Sequence, residues 1–554
     1  MATDRYDVIV VGSGFGGSVA AYRLAQAGRR VLVLERGKPY PPGSFARTPH
    51  EMARGFWDPS EGYQGLFDIW SFRGIEAVVS SGLGGGSLIY ANVLLRKDEH
   101  WFVHEDRYQG GYESWPIGRA DLEEHYDAVE TMLDGQPFPL DQLGYDIPKA
   151  VGLHEAAAQL NLETHLPKLA VTFAQGGNAP GPAEPLPGSP YPNLHGLPRT
   201  TCRLCGECDI GCNYGSKNTL DHTYLSAAKH HGAEIKTRCE VRQIATRDGG
   251  FALGYVEHLP EREGMRTNTR KLPIVSVTAD RIVLAAGALG TPFLLLRNRR
   301  NLPGLSPALG TRFSGNGDLL TLVTKADRVL DPSRGPVITS AVRVPDTVDG
   351  GTGRGYYVED AGFPAFASWL METSQAPGTI RRFARFAIRR LWERLTGEPR
   401  SVLGAEIGEL MGHAELSSRS MPLLGMGRDV PDGVMGLRRR YLDVDWSVAT
   451  SKDYFDRVRG TMSELAEAMG GTLSDNPLWW LGRVITVHPL GGCPMATSRQ
   501  LGVVDGWGQS FDHPGLYVAD GSVMPGPVGP NPALTIAAFA DRLSEHLLEE
   551  SPHA

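Results

Sequence analysis

Two short apolar runs near the start of the chain flank a segment with helical spacing. The runs cover residues 6–11 and 31–34, and each is apolar almost without interruption. Between them, small and apolar side chains recur at the intervals of a helix, at Ala20, Ala21, Leu24 and Ala25. Continuous apolar runs of this length are typical of strands buried on both faces of a parallel sheet. The pattern therefore predicts a strand, a helix and a second strand.

A glycine-rich turn, Gly-Ser-Gly-Phe-Gly-Gly at residues 12–17, joins the first strand to the helix. The acid Glu35 ends the second strand roughly 20 residues further on, which is the context that a dinucleotide-binding fingerprint requires. Gly12 and Gly14 would let the backbone approach a pyrophosphate at the helix N-terminus. Gly17 would let the helix pack on the strand, and Glu35 would accept hydrogen bonds from ribose hydroxyls. The sequence predicts dinucleotide binding.

Three later segments extend this domain. Residues 80–92 are dense in glycine, and without Cβ atoms the backbone amides can lie against a flat ring or a phosphate. Residues 234–241 have the pattern of a further strand of the same sheet. Residues 281–286 predict a buried strand, followed by a turn at Gly287 and a helix that starts near Pro292. The domain is thus predicted to be assembled from distant pieces of sequence.

Two polar side chains stand at unusual positions near the C-terminus. His488 lies on a turn of proline and glycine, and Asn531 precedes Pro532. Histidine exchanges a proton near neutral pH, and an asparagine amide both donates and accepts hydrogen bonds. Either residue could simply cap a turn. Beside a dinucleotide fold, the pair is more typical of a site that handles one substrate hydroxyl.

Composition narrows the class of function. The chain has 554 residues, 41% of them hydrophobic, which is enough for one large core or two joined domains. A net charge of -8 argues against a nucleic-acid partner, whose binding depends on neutralised phosphates. No apolar run approaches the roughly 20 residues of a membrane span. Because the first strand begins almost at once, there is no room for a signal peptide, and the cytoplasm is the expected location.

These motifs resemble those of the glucose–methanol–choline (GMC) flavoprotein oxidoreductases, and within them the bacterial cholesterol oxidase branch. The resemblance runs from residue 6 to about residue 547 and includes the fingerprint, the loop at 82–92, the Ala-Ala-Gly segment at 285–287, His488 and Asn531. It implies an α/β fold with a Rossmann-like FAD-binding domain built from discontinuous segments. It also implies an α+β substrate domain with an antiparallel sheet, as in p-hydroxybenzoate hydroxylase.

The resemblance assigns roles to single residues. Asp520 and Gly521 match the segment beside the flavin ribityl chain and pyrophosphate, and His488 and Asn531 match the pair that faces the flavin and the substrate hydroxyl. Tyr90 departs from the asparagine that such oxidases carry near the flavin. The candidate FAD contacts are Gly12, Gly14, Phe15, Gly16, Gly17, Glu35, Gly82, Gly85, Gly86, Ser87, Asn92, Val241, Ala286, Gly287, Asp520, Gly521, Asn531 and Pro532.

A third catalytic candidate comes from residues 357–364, which resemble the steroid-oxidase segment with a catalytic glutamate. Glu359 would then be a base, while the alternative is a solvated acid at a strand edge. Hydride transfer from an alcohol carbon to flavin requires the hydroxyl proton to leave at about the same time. Glu359 or His488 could accept this proton, and Asn531 would orient the oxygen or the reduced ring.

Four of the six cysteines form the run Cys202, Cys205, Cys208 and Cys212. This spacing is that of bacterial ferredoxins, although Asn213 replaces the usual proline and six cysteines are too few for two clusters. One iron–sulfur cluster, [4Fe-4S] or [3Fe-4S], is one interpretation. A structural zinc ion and plain or disulfide-paired thiols are the alternatives. Cys239 and Cys493 are expected to be small buried residues.

The remaining segments complete the expected organisation. The FAD-binding domain comprises residues 1–137, 201–315 and 481–554, residues 138–200 form a proline-rich extended covering segment, and residues 316–480 form the substrate domain with strands near 319–323 and 337–342. Residues 380–392 predict a helix with one apolar and one arginine-rich face. It is either a domain cover or a weak contact with a membrane surface.

The expected function is FAD-dependent oxidation of a bulky apolar secondary alcohol, such as a 3β-hydroxysteroid, with O2 or a redox partner as electron acceptor. One alternative is a dehydrogenase of another alcohol or a sugar that passes electrons through the cysteine cluster to an external acceptor. The other is an electron-transfer protein whose cysteine cluster, rather than alcohol oxidation, is the functional centre.

Overall fold

The computed structural model describes residues 5–106, 110–188, 191–247, 249–365, 367–368 and 415–550. The strands are β1 (Arg5–Val11), β2 (Val31–Leu34), β3 (Trp57–Asp58), β4 (Tyr63–Gln64), β5 (Phe67–Ser71), β6 (Ile75–Ser80), β7 (Val93–Leu94), β8 (Val103–Glu105), β9 (Tyr112–Ser114), β10 (Gln136–Pro137), β11 (Glu163–His165), β12 (Lys168–Leu169), β13 (Glu234–Lys236), β14 (Cys239–Arg247), β15 (Gly250–Glu257), β16 (Val275–Leu284), β17 (Leu319–Thr324), β18 (Ala341–Val344), β19 (Tyr356–Asp360), β20 (Met421–Gly427), β21 (Val434–Arg438), β22 (Tyr441–Asp445), β23 (Thr472–Asp475), β24 (Val484–Thr486) and β25 (Leu516–Val518). The α-helices are α1 (Phe15–Gln26), α2 (Pro49–Met52), α3 (Glu123–Met132), α4 (Pro148–Gln159), α5 (Tyr224–His230), α6 (Gly287–Arg297), α7 (Glu415–Ser418), α8 (Lys452–Ala468) and α9 (Ala533–Glu549).

A seven-stranded sheet carries the glycine-rich turn. Its order is β13-β2-β1-β16-β15-β14, and β25 pairs with β16. Strands β13, β2, β1, β16 and β25 are parallel, and β15 and β14 add an antiparallel extension. Val10, Val33 and Val283 are fully buried and share one core with Ala21 of α1 and Phe539 of α9. Helices cover the parallel strands, which explains their uninterrupted apolar runs. The predicted assembly of an α/β domain from distant segments is confirmed.

The second large sheet is antiparallel and has the order β11-β18-β19-β20-β17-β23. Its core includes Val323, Val358 and Leu423, which pack with Phe455 and Met462 of α8. The strand expected at 319–323 is β17. The strand expected at 337–342 begins only at Ala341, because Val337 and Ile338 belong to a separate apolar cluster. An antiparallel sheet covered by helices was predicted for this region.

Two local predictions are corrected. Helix α6 begins at Gly287 and contains Pro292 within its length, whereas the sequence placed its start near the proline. The carboxylate of Asp520 accepts from the Gly287 N–H at 2.9 Å and so caps the helix from a distant segment. Residues 138–200 are also not extended throughout, since α4 and two short strands lie within them.

Two further expectations concern membranes. The basic amphipathic helix expected at residues 380–392 lies outside the described residues. Within the described part of the chain, no helix is both long and apolar enough to cross a bilayer.

Candidate active site

The glycine-rich turn is closely packed except at one position. A Cβ atom at Gly12 would lie 2.3 Å from the Ala285 carbonyl oxygen, and one at Gly16 would lie 2.0 Å from the Ala519 oxygen. Gly17 packs against the Gly12 carbonyl in the same way. At Gly14, in contrast, a Cβ would meet nothing within 4 Å. The turn therefore leaves open the backbone at the N-terminus of α1, a position that favours anions.

Glu35 joins this turn to the second glycine-rich loop. Its Oε2 accepts from the Ser13 N–H at 3.0 Å and from the Ser13 hydroxyl at 2.6 Å, and its Oε1 accepts from the Gly37 N–H at 2.8 Å. The Ser13 hydroxyl in turn accepts from the Gly84 N–H at 3.0 Å. Val241 lies nearby, because the Cys239 N–H donates to the Glu35 carbonyl at 2.8 Å. The strand register shifts just after Val241, which interrupts its pairing there.

The loop at 80–92 lies against the first turn. A Cβ at Gly85 would lie 2.6 Å from the Gly14 Cα, whereas Gly86 faces open space. Phe15 and Tyr90 form an edge-to-face pair with centroids 5.3 Å apart. Asn92 is fully buried at a φ of 73°, and both polar atoms of its amide have no partner among the described residues. Since buried amides are normally hydrogen-bonded, Asn92 has the character of a ligand contact.

Three residues that are predicted to contact the cofactor also make contacts with other residues of the chain. The Ser87 hydroxyl donates to the Gly84 carbonyl and accepts from the Leu220 N–H, so it braces its loop. The second oxygen of the Asp520 carboxylate, Oδ1, accepts from the Ser522 N–H. Burial raises the pKa of Asp520, and the bonds to Ser522 and Thr291 oppose that rise. A Cβ at Gly82 would lie 2.6 Å from Leu88 Cδ1, so Gly82 packs against the Leu88 side chain.

Asn531, in the segment before α9, contacts Glu359 of β19. The Asn531 amide donates to Glu359 Oε2 at 3.3 Å, and both side chains are buried. Glu359 Oε1 and Asn531 Oδ1 have no partner among the described residues. Burial raises the pKa of Glu359 to about 8, and the charges of Asp360 and Asp318 contribute to the rise. Because β19 is an inner strand and Glu359 is 0% exposed, the alternative of a solvated edge acid is wrong.

His488 is held by a carboxylate that the sequence did not indicate. Its Nδ1 lies 2.8 Å from Asp318 Oδ1, and the Asp318 side chain is 1% exposed. Asp318 Oδ2 accepts from the Thr486 hydroxyl and from the N–H groups of Val487 and His488. Asp318 also influences Glu359, so the histidine and the Glu359–Asn531 pair share one neighbourhood. The available signal was an aspartate that follows a Ser-Gly-Asn-Gly turn and directly precedes a strand.

The same turn positions Asn531. Asn316, at a φ of 54°, donates to the carbonyls of Gly529 and Pro530 and accepts from the Gly529 N–H at 2.9 Å. Pro532 follows Asn531 directly and immediately precedes α9. The turn at residues 314–318 therefore fixes both the histidine and the asparagine.

The four cysteines of the run lie beside the glycine-dense loop. All six cysteines are free thiols, and Cys239 and Cys493 are buried as predicted. Burial, reinforced by the neighbouring thiols, raises the pKa of Cys202 and raises that of Cys205 to about 12. Every pair within the run interacts electrostatically. Among the described residues, the one group of three His, Cys, Asp or Glu ligand atoms within 4.8 Å of one another is Glu124, His125 and Glu545, so no three of the four sulfurs lie that close together.

Comparison with known proteins agrees with this architecture. Family models described as GMC oxidoreductase match residues 189–299 and 478–540, and a model described as NAD(P)-binding Rossmann-like domain matches residues 10–47. The second of these ranges contains His488, Asp520 and Asn531.

The similarity of this chain to two relatives and to one solved structure extends over nearly its whole length. A cholesterol oxidase of Mycobacterium tuberculosis (strain ATCC 25618 / H37Rv) is 29% identical, covering 97% of this chain and 90% of that protein. A cholesterol oxidase of Acinetobacter baumannii is 28% identical, covering 99% and 96%. Pyridoxine 4-oxidase from Mesorbium loti has the same fold, with a TM-score of 0.57 and 16% identity over 99% of this chain and 100% of that one. The chain therefore contains both regions that the GMC oxidoreductase models describe, and it is an oxidoreductase similar over nearly its whole length to two cholesterol oxidases.

Proposed function

We propose that this enzyme oxidises an apolar secondary alcohol to a ketone with FAD as its resident cofactor, and that the alcohol is a 3β-hydroxysteroid or a molecule of similar shape. One observation carries the proposal. Glu359 and Asn531 form a buried pair with one unpartnered oxygen each, in the neighbourhood of His488. Unpartnered polar atoms in a buried position are costly, and a substrate hydroxyl would satisfy them.

The residues of the dinucleotide region fit FAD. Gly14 and Gly86 have open backbone faces, and the buried Asn92 amide lacks a partner among the described residues. Glu35 and Val241 lie together at the end of β2, where the ribose and adenine would be held. When bound, FAD accepts the hydride that leaves the alcohol carbon. In this proposal the FAD domain comprises residues 1–137, 201–315 and 481–554, and the substrate domain comprises residues 316–480.

The residues around the proposed substrate hydroxyl have separate roles. Asn531 would donate to or accept from the substrate oxygen and orient it. Glu359 and His488 are the two groups able to exchange the hydroxyl proton. Both side chains are largely shielded from solvent, which strengthens their interaction with a reacting oxygen.

The steroid class is supported by the similarity of this chain to the two cholesterol oxidases. Aliphatic or terpenoid alcohols and sugars remain the competing substrates. The electron acceptor in the proposal is O2 or an external redox partner, and the cytoplasm is the proposed location.

The test is anaerobic mixing of the purified yellow protein with a panel of alcohols. We expect a 3β-hydroxysteroid to bleach the flavin absorbance in a single turnover. A sugar at a similar concentration should leave the absorbance unchanged. If the FAD-loaded protein is bleached by the sugar alone, a sugar replaces the steroid as the proposed substrate. Bleaching by no alcohol would contradict the proposed activity itself.

A second candidate function is a dehydrogenase that passes electrons onward through an iron–sulfur cluster. The Lys217 side chain favours this candidate. Its ammonium is buried and donates to the carbonyls of Leu88, Tyr90 and Cys208, at 3.2, 2.9 and 2.9 Å. Within the described part of the chain, no carboxylate forms an ion pair with it.

A buried cation normally requires a counter-charge. Thiolates bound to iron would provide negative charge beside Lys217, next to the loop that contains Tyr90. A zinc ion fits less well, since Zn–S bonds of about 2.3 Å bring four sulfurs within about 4 Å of one another. Thiolates on separate irons of a cluster stand further apart.

Iron and acid-labile sulfide should be measured in anaerobically purified protein, together with a low-temperature electron paramagnetic resonance spectrum. We expect about one cluster per chain, lost in Cys208→Ser and retained in Cys239→Ser, the control outside the run. Parental protein without iron and sulfide would remove this candidate and leave the oxidase.

A further inference from the structure

His488 and Asp318 form a buried acid–imidazole pair whose arrangement determines where the imidazole proton resides. Asp318 Oδ2 accepts from three neutral donors, the Thr486 hydroxyl and the N–H groups of Val487 and His488. The remaining contact is His488 Nδ1, at 2.8 Å from Oδ1. A carboxylate only accepts hydrogen bonds, so Nδ1 must carry a proton.

The other ring nitrogen is left free to act. No described residue forms a hydrogen bond with His488 Nε2, and the side chain is 14% exposed. In the neutral ring, a proton on Nδ1 leaves a lone pair on Nε2. This nitrogen is therefore an acceptor and can take a proton from a ligand.

The Glu359 carboxyl group, unlike that of Asp318, has few hydrogen-bond donors around it. It receives one donor, from Asn531, and its second oxygen has no partner among the described residues. With burial raising its pKa to about 8, Glu359 retains its proton at neutral pH. The two carboxyl groups thus differ: Asp318 has the donors that a carboxylate needs, and Glu359 lacks them.

We propose that Asp318 is a positioning residue, which holds His488 with its Nε2 unprotonated and so makes this imidazole the acceptor of the substrate's hydroxyl proton. The inference rests on the proposed function and deepens it. As the O–H bond breaks, the proton moves to Nε2 and the oxygen electron pair forms the C=O bond. When bound, FAD would accept the hydride that leaves the carbon with its electron pair, and Asp318 would compensate the charge of the resulting imidazolium.

The other titratable groups around this pair are Glu359 from β19, Tyr454 from α8 and Asp429 before β21. Tyr454 lies close enough to Asp318 for the carboxylate to raise the pKa of its phenol, after the larger effect of burial. Asp429 accepts from the Ser314 hydroxyl and the Gly315 N–H instead of from His488. Asp318 is therefore the one carboxylate, among the described residues, within ion-pair distance of His488.

The test compares Asp318→Asn with the parent as FAD-loaded full-length protein. We expect the rate constant for anaerobic flavin reduction to fall by roughly 10²–10⁴-fold, the range of general-base catalysis. The substrate concentration at half-maximal rate should change little, because Asp318 acts through His488. The pH midpoint of the rate should move down, because an imidazolium that has lost its neighbouring carboxylate is less stable.

Asp429→Asn is the matched control, since it makes the same change at a second buried carboxylate of this region. We expect it to keep the parental pH midpoint. A double variant with His488→Ala should be no slower than His488→Ala alone. A parental rate and midpoint in Asp318→Asn would overturn the role of Asp318, and a parent that no alcohol reduces would instead overturn the proposed function.

A second measurement applies if Asp318→Asn does not fold or does not bind FAD. Nitrogen-15 NMR of histidine-labelled parental protein, with the His488 signals identified by their loss in His488→Ala, reports the tautomer directly. We expect protonated Nδ1 and unprotonated Nε2 above the imidazole midpoint. A His488 ring protonated on Nε2 in that pH range would overturn the inference.

Discussion

The side-chain amide of Asn531 donates to the carboxyl group of Glu359 across 3.3 Å. Asn531 follows the last strand of the parallel sheet, and Glu359 lies in an inner strand of the antiparallel sheet. One hydrogen bond thus links the dinucleotide-binding region to the second sheet. The candidate site lies at this junction.

The buried Glu359 carboxyl makes stability depend on pH. Its pKa is about 8 in the folded chain, against an ordinary value of 4.5. The folded state holds the proton more tightly, so this stabilisation is complete below pH 4.5 and is lost as pH rises toward 8. As the pH rises from 5 to 9, the unfolding free energy of Glu359→Gln should therefore increase relative to that of the parent by on the order of 4 kcal/mol.

Denaturant unfolding with excess FAD at pH 5, 7 and 9 measures this difference. Glu257→Gln removes the same charge at an exposed position and should show no such increase. An equal response of both variants to pH would contradict the buried, protonated state of Glu359.

Two glycines of the first turn should respond to alanine in opposite ways. A Cβ atom at residue 14 would meet no atom within 4 Å, and the Gly14 φ of -71° is one that alanine also adopts. Gly14→Ala should therefore keep the parental melting temperature in the absence of cofactor. The added methyl group would face the proposed pyrophosphate, and FAD affinity should fall at least about tenfold. Gly16→Ala would place Cβ 2.0 Å from the Ala519 oxygen and should prevent folding.

Fluorescence titration of the cofactor-free protein with FAD, beside a thermal melt, separates these effects. Parental FAD affinity in Gly14→Ala would show that the pyrophosphate binds elsewhere.

Asn316 should influence activity from outside the reacting centre. Asn316→Gly keeps the left-handed backbone but removes three hydrogen bonds to Gly529 and Pro530. Loss of these buried bonds should cost about 1–3 kcal/mol of unfolding free energy. Displacement of Asn531 should slow flavin reduction by roughly 10- to 100-fold while FAD stays bound.

Asn161→Gly is the control for this substitution. Asn161 has a similar φ of 55° but lies at an exposed turn, so its variant should reduce flavin at the parental rate. If Asn316→Gly also matches the parent in stopped-flow reduction, Asn316 does not position Asn531 for the proposed reaction.

The features predicted from sequence are those encoded by neighbouring residues. The turn at 12–17 and its flanking strands are local, and the period of apolar positions was sufficient to find them. His488, Asn531 and Glu359 came from motifs, and the structure brings all three into one region.

The features that sequence missed depend on distant contacts. Asp318 acquires its role from His488, 170 positions away along the chain. The start of α6 depends on Asp520, 233 positions beyond Gly287. Neither contact leaves a periodic signal, because a single polar side chain that meets its partner only after folding does not alter the local pattern.

The most direct measurement of the central claim is anaerobic single-turnover reduction with a 3β-hydroxysteroid that carries deuterium at the carbinol carbon. Hydride transfer from this carbon to FAD in the Glu359–Asn531–His488 site predicts full bleaching of the flavin and a slower rate with deuterium. It also predicts that His488→Ala retains FAD but is reduced orders of magnitude more slowly. An oxidised flavin after prolonged mixing, or reduction at the same rate in His488→Ala, would contradict the account.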